Sequence, residues 1–192
     1  MLRVLSLLCA ASLMMIGTVG CQSSPKTDSE KVQKQEEVRS MERETLSQLY
    51  AAQPSSRSVV QNAAGYAVFS NFGMKLFVTG GGHGEGVAVQ KSPSKVVYMK
   101  MAELQAGLGF GVKKFRLVWV FDNAAAFDRF VNSGWEFGGQ ASAAAKAADQ
   151  GGAMQGALSV APGVWLYQLT DAGLALELTA KGTKYYRDDE LN

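Results

Sequence analysis

Reactive side chains are scarce in this chain. It holds two cysteines, Cys9 and Cys21, and a single histidine, His83. Both cysteines precede the stretch that reads as a folded domain, which excludes a disulfide framework there. One histidine without cysteine partners excludes a soft-metal site. Proline is also sparse, at 4, whereas glycine reaches 21. The glycines interleave with Val, Leu, Phe and Tyr, so low-complexity disorder is excluded as well. An excess of one charge is missing: 19 Lys and Arg face 17 Asp and Glu. A nucleic-acid partner would call for a basic excess and is set aside. No Gly-Lys-Ser/Thr follows the glycine-rich stretches, so there is no Walker loop. Val87 stands where a dinucleotide-binding pattern would need its third glycine. No cofactor and no metal is expected.

What is present begins with an address. Residues 1–20 are predicted to be a signal peptide, with Arg3 as the positive region and an apolar run over 5–16 that is too short to span a bilayer. Thr18-Val19-Gly20-Cys21 follows. This resembles the lipobox of bacterial lipoproteins, with Thr18 where Leu is usual. The resemblance implies a cleaved lipoprotein signal peptide and lipidation of Cys21. Burial of acyl chains at about 0.8 kcal/mol per CH₂ gives stable anchoring when more than one chain is attached. Gln22 in place of Asp implies, by the same resemblance, the outer membrane of a bacterial cell envelope, facing the periplasm. Residues 21–29 read as a polar tether and residues 30–192 as a single domain.

Within that domain a helix is predicted over 30–50, where Val38, Met41, Leu46 and Leu49 form a narrow apolar stripe. A second, shorter helix runs from Pro54 to Ala64. The pattern then changes to period two. Strands are predicted at 66–69, 76–79, 87–90, 96–101, 106–112 and 117–121, with a hairpin turn at 91–94. Asp122-Asn123 caps a helix over 124–131, and Ser133-Gly134 ends it. The alternating alanines of 136–148 are read as a strand, followed by strands at 158–161, 164–169, 174–179 and 184–186. Residues 188–192 read as a frayed acidic tail. Grouped strands with few crossover helices imply an α+β fold. The expected architecture is a strongly twisted, barrel-like antiparallel sheet of about 8–10 strands with two N-terminal helices and one inserted helix.

Two glycine ladders stand out. Gly80, Gly82, Gly84 and Gly86 would leave one face of a strand bare, and Gly107, Gly109 and Gly111 would do the same to another. Glycine weakens a strand, so such ladders imply close backbone approach or a sharp sheet bend.

Candidate chemistry is thin. His83 beside Glu85 reads as solvated; a catalytic triad would need a serine partner, and no nucleophile elbow exists. No catalytic residue is expected. Lys113, Lys114 and Arg116 form the densest basic cluster, with Lys181, Lys184 and Arg187 as another. Such clusters can meet lipid phosphates, or protect an edge strand from aggregation. Trp119, Trp135 and Trp165 are expected in the core.

An ordered set of motifs resembles the SYLF, or Ysc84, domain family: Gly65-Tyr66-Ala67-Val68-Phe69, residues 80–87, Ala126-Phe127-Asp128-Arg129-Phe130, Gly134-Trp135-Glu136-Phe137-Gly138, Gly163-Val164-Trp165-Leu166-Tyr167, Ala172-Gly173-Leu174 and Tyr185-Tyr186. Ser70 stands where the family commonly has proline. The resemblance implies binding of phosphoinositides and other acidic phospholipids, with actin binding in eukaryotic members; the latter is not carried over to a periplasmic protein. The function expected is thus a membrane-anchored, non-catalytic lipid-binding module. Its partners would be membrane lipids, met by Lys113, Lys114 and Arg116, with Phe72 and Met74 as membrane wedges. Two alternatives stay open: a structural envelope protein that binds another protein or peptidoglycan, and a lipid-acting hydrolase that uses His83. An open barrel interior would point to lipid carriage, and a filled one to surface binding.

Overall fold

The short apolar runs of the sequence join into long strands. A computed structural model describes residues 27–76, 79–106, 111–137, 156–171, 173–175 and 183–192. The predicted signal peptide, Cys21, most of the tether, residues 107–110 of the second glycine ladder and residues 138–148 of the alanine-rich run lie outside these described residues.

Helix α1 spans Asp28–Ala52 and starts inside the stretch read as a tether. The reason is a capping box: the Thr27 side chain accepts from Glu30 N at 3.2 Å, and Glu30 accepts from Thr27 N at 3.1 Å. Helix α2 is Ser56–Asn62. Strands β1 (Gly65–Leu76), β2 (Thr79–Gln90), β3 (Lys95–Ala106) and β4 (Gly111–Phe121) follow, then α3 (Ala124–Ser133), β5 (Trp135–Phe137), β6 (Leu158–Ala161), β7 (Val164–Thr170), β8 (Gly173–Ala175) and β9 (Thr183–Arg187). The strands form one antiparallel sheet in the order β5-β9-β3-β2-β1-β4-β7-β6, with β8 also on β7. The α+β architecture, its three helices and its curled, half-barrel sheet agree with the sequence pattern.

The strand boundaries do not. The stretch read as one strand at 76–79 is the end of β1 and the start of β2. The glycine-rich segment is itself strand: β2 keeps register with β1 and β3 along its whole length, Gly84 opposite Asn71 and Met101, Gly86 opposite Phe69 and Met99. Ladder hydrogen bonds need only backbone groups, so glycine does not interrupt them.

The sheet must curl, and ring distances prove it. Tyr185 on β9 and Trp119 on β4 are four inter-strand steps apart in the ladder, which on a flat sheet would separate them by about 19 Å. Their ring centroids are 5.1 Å apart. The inner face holds a buried cluster of Phe69, Trp119, Phe121 and Tyr185, closed by Phe127 and Phe130 of α3. Helix α3 is capped as expected, with Asn123 Oδ1 accepting from Ala126 N at 2.9 Å. The outer face is covered by α1 and α2 through Leu49 and Val60 over Val68, Val118 and Val120.

Residues 188–192 are not frayed. Asp188 and Leu191 are buried. Asn192 donates to the Tyr98 carbonyl at 2.8 Å and accepts from Tyr98 N at 3.0 Å. Gln35 donates to the Leu191 carbonyl at 2.7 Å. The acidic composition suggested a solvated tail; short Asp and Asn side chains instead close turns on their own backbone, and the segment ties α1 to β3.

Candidate functional site

Two clefts flank Ser70 on the outer face, where α1 crosses the strands. Alternation puts Lys114 and Arg116 on the same face of β4 as Val118 and Val120. The register places Arg116 opposite Ser70 of β1 and Leu169 of β7. The result is a cleft of about 360 Å³ whose polar lining includes Gln48, Ser70, Lys114, Arg116, Thr170 and Asp171. Lys114 is exposed and Arg116 half-buried. Helix α1 holds the guanidinium from above: it lies 3.1 Å from Glu44, and it donates to Gln48 at 3.2 Å and to Thr45 at 3.4 Å.

Two of the basic residues singled out in the sequence thus meet in one cleft. The side chains of Lys113, Phe72 and Met74 fall outside the described residues; their backbones pair in β4 and β1, Phe72 opposite Lys114 and Met74 opposite Val112. Sequence reasoning missed Gln48, Ser70 and Thr170, which tertiary packing and strand register bring from α1, β1 and β7.

The second cleft, of about 280 Å³, lies between α1 and β2 and is lined by Lys34, Glu37, Met41, Ser70, His83 and Glu85. Lys34 bridges Glu85 at 2.9 Å and Glu37 at 3.3 Å. Burial pushes its pKa down, but the bonds and charges of Glu85 and then Glu37 outweigh this, so the net shift is upward. His83 is exposed and shares this cleft with Ser70, yet no hydrogen bond joins the two. Ser70 and His83 are therefore not a nucleophile and base in working contact.

Beneath α1 lies a buried carboxylate. Glu42 is 2 % exposed; it accepts from the Tyr66 hydroxyl at 2.7 Å and pairs with Arg39 at 2.7 Å. The Tyr66 bond fastens the helix to β1, the Arg39 pair lies within α1, and Glu42 is not among the residues that line either cleft. On the inner face the aromatic rings pack edge-on or tilted, with Phe130 5.3 Å from Trp119, 5.0 Å from Phe121 and 5.4 Å from Tyr185. This portion of the interior is filled. Among the described residues no helix is long and apolar enough to cross a membrane, and no group of three His, Cys, Asp or Glu side chains could hold a metal ion.

Residues 102–192 match the family described as Ysc84, Las17-binding protein actin regulator. The chain carries a Ysc84, or SYLF, domain. The matched segment begins near the end of β3 and takes in Lys114, Arg116 and the whole of β7 and β9. A curated relative, Beta cell expansion factor A of Aeromonas veronii, is 32% identical over 158 residues. That similarity covers 80% of this chain, so it extends beyond the Ysc84 segment, and 57% of the relative. The chain therefore spans little more than half the length of that protein.

Proposed function

We propose that the chain is a non-catalytic module of the bacterial cell envelope that binds acidic phospholipid headgroups through the cleft of Lys114 and Arg116. The observation that carries this reading is the convergence of two cations with Ser70, Thr170 and Gln48 in one open cleft. Guanidinium, ammonium, hydroxyl and amide groups together make the donor set that phosphate oxygens accept. The filled aromatic interior supports surface binding over lipid carriage. Lipidation of Cys21 would hold the domain at the outer membrane, within reach of its headgroups.

Glu44 competes for the guanidinium that a phosphate would use. Binding to anionic vesicles is therefore expected to weaken roughly thirtyfold in Lys114→Ala/Arg116→Ala, on about 1 kcal/mol per basic residue near the surface. It is expected to strengthen in Glu44→Gln. Co-sedimentation of the purified chain with anionic and with neutral vesicles checks both, using Cys21→Ser so that no acyl chain contributes. Equal binding to both vesicle types, or an unchanged double variant, would remove the cleft from this role.

A protein partner is the second reading, favoured by the family description, which names a Las17-binding actin regulator. In an envelope protein the partner would be another envelope component, and cross-linking in intact cells would capture it while vesicle binding stayed absent.

A further inference from the structure

The inner face changes character at one end of the sheet. Inward residues along β1 run Ala67, Phe69, then Asn71, and along β3 they run Val97, Met99, Met101, then Glu103. On β9 the inward Tyr185 is preceded by Thr183. The antiparallel register brings these polar residues to the same end, one step beyond the aromatic cluster. They are deeply buried all the same: Asn71 and Glu103 are 2% exposed and Thr183 is 1% exposed. Polar groups so placed are normally bonded.

One bond explains the bare strand. Asn71 Nδ2 donates to Glu103 Oε2 at 2.5 Å, although β2 runs between β1 and β3. Asn71 stands opposite Gly84 and Glu103 opposite Gly82. The two side chains meet over a strand that presents only hydrogen atoms at those positions. A Cβ on Gly84 would collide with the Ser70 carbonyl and the Met101 side chain.

Two oxygen atoms are left over. Asn71 Oδ1 and Thr183 Oγ1 are buried without a hydrogen-bond partner. Thr183 stands directly across from Glu103 in the β3–β9 register. The carboxylate also makes itself felt one residue deeper. Burial raises the Tyr185 pKa, and the charge of Glu103 adds to the rise.

A carboxylate, an amide oxygen and a hydroxyl from three strands form an all-oxygen set with one negative charge. Hard cations take such ligands, and Ca²⁺ in particular accepts carboxylates and neutral oxygens in irregular geometry, whereas Mg²⁺ demands a near-ideal octahedron. We propose that Asn71, Glu103 and Thr183 form a Ca²⁺-binding site on the inner face of the sheet. With one carboxylate the site belongs to the weak class, Kd roughly 10⁻⁴ to 10⁻³ M. The inference is independent of headgroup binding.

Terbium luminescence tests it, because Tyr185 stands two residues from Thr183 on the same buried face of β9 and can sensitise a bound Tb³⁺. Titration of the purified chain with Tb³⁺, without vesicles, is expected to give saturable emission on aromatic excitation that Ca²⁺ displaces. Glu103→Gln and Thr183→Val should weaken Tb³⁺ binding at least tenfold, and Lys114→Ala/Arg116→Ala should leave it unchanged. Asn71→Asp adds a second carboxylate and should tighten binding, which keeps the test decisive if Glu103→Gln fails to fold. Emission that Ca²⁺ does not displace, or that Glu103→Gln, Thr183→Val and Asn71→Asp all leave unaltered, would overturn the assignment.

Discussion

Gly86→Val is expected to abolish the cooperative unfolding transition, and Gly86→Ala to lower stability by about 3 kcal/mol or more, at the upper end of overpacking costs. A Cβ at Gly86 would lie 2.7 Å from Phe69 Cε1 and closer still to the Val68 carbonyl. The carbonyl is backbone in the neighbouring strand and cannot rotate away. Nor can the Phe69 ring withdraw: it is fully buried, 4.9 Å from the Tyr185 ring and 6.2 Å from that of Phe130. Typical domains are stable by only about 5–15 kcal/mol, so the larger valine removes most of that margin. Gly81 supplies the control. Among the described residues, a Cβ there meets only the Glu103 carbonyl, at an ordinary 3.7 Å. Gly81→Ala should stay within about 1 kcal/mol of the parent and, by restricting the unfolded chain, can even stabilise. Urea denaturation of the alanine variants separates the cases; equal losses at the two positions would mean that contact with Phe69 is not what requires glycine.

The second large effect is alkaline unfolding. Burial raises the pKa of Tyr185 above its ordinary value of 10.0, and burial followed by the bond to Glu42 does the same for Tyr66. Tyr50, Tyr98 and Tyr167 shift the same way, burial first. A folded pKa above the unfolded one means that the native state holds its proton more tightly. The stability these groups contribute is complete below about pH 10 and falls as pH climbs from there through the raised folded values. Lys34 and Lys100 act in the same sense above their ordinary 10.5, because their carboxylate partners outweigh burial. Lys91, lowered by burial, opposes them. Tyrosinate absorbance is therefore expected to include a component that appears only in step with the loss of circular dichroism. Complete ionisation near pH 10 with the dichroism intact would contradict the burial of Tyr66 and Tyr185.

Much of this was legible in residue order, and the failures have physical causes. Helix α3 showed because Asn123 is a good cap and Phe127, Phe130 and Val131 recur at helical spacing; the stripe reads through Ala125, whereas the structure buries Ala126. The core strands showed through alternation, as at Leu117, Trp119 and Phe121. Strand β2 was hidden because alternation is read from side chains, and glycine has none; only the spacing of the ladder hinted that something packed against it. The start of α1 is masked by the polar composition of 21–29, which reads as a tether, although Thr27 and Glu30 spell a capping box. In the candidate site, Lys114 and Arg116 declared themselves by charge. Glu44, Ser70 and Thr170 did not, because their approach depends on register and on the crossing of α1. Asn71 and Glu103 lie 32 positions apart, and neither carries a local signal of the other.

The buried core depends on a sheet that curls over its side-chain-free strand until β9 faces β4. Nuclear Overhauser contacts between the ring protons of Tyr185 and the indole protons of Trp119 test this directly. Strong cross-peaks between the two rings are the expected result. A Tyr185 ring that shows contacts only to residues of β3 and β5, and none to Trp119, would mean an open sheet and would contradict the account.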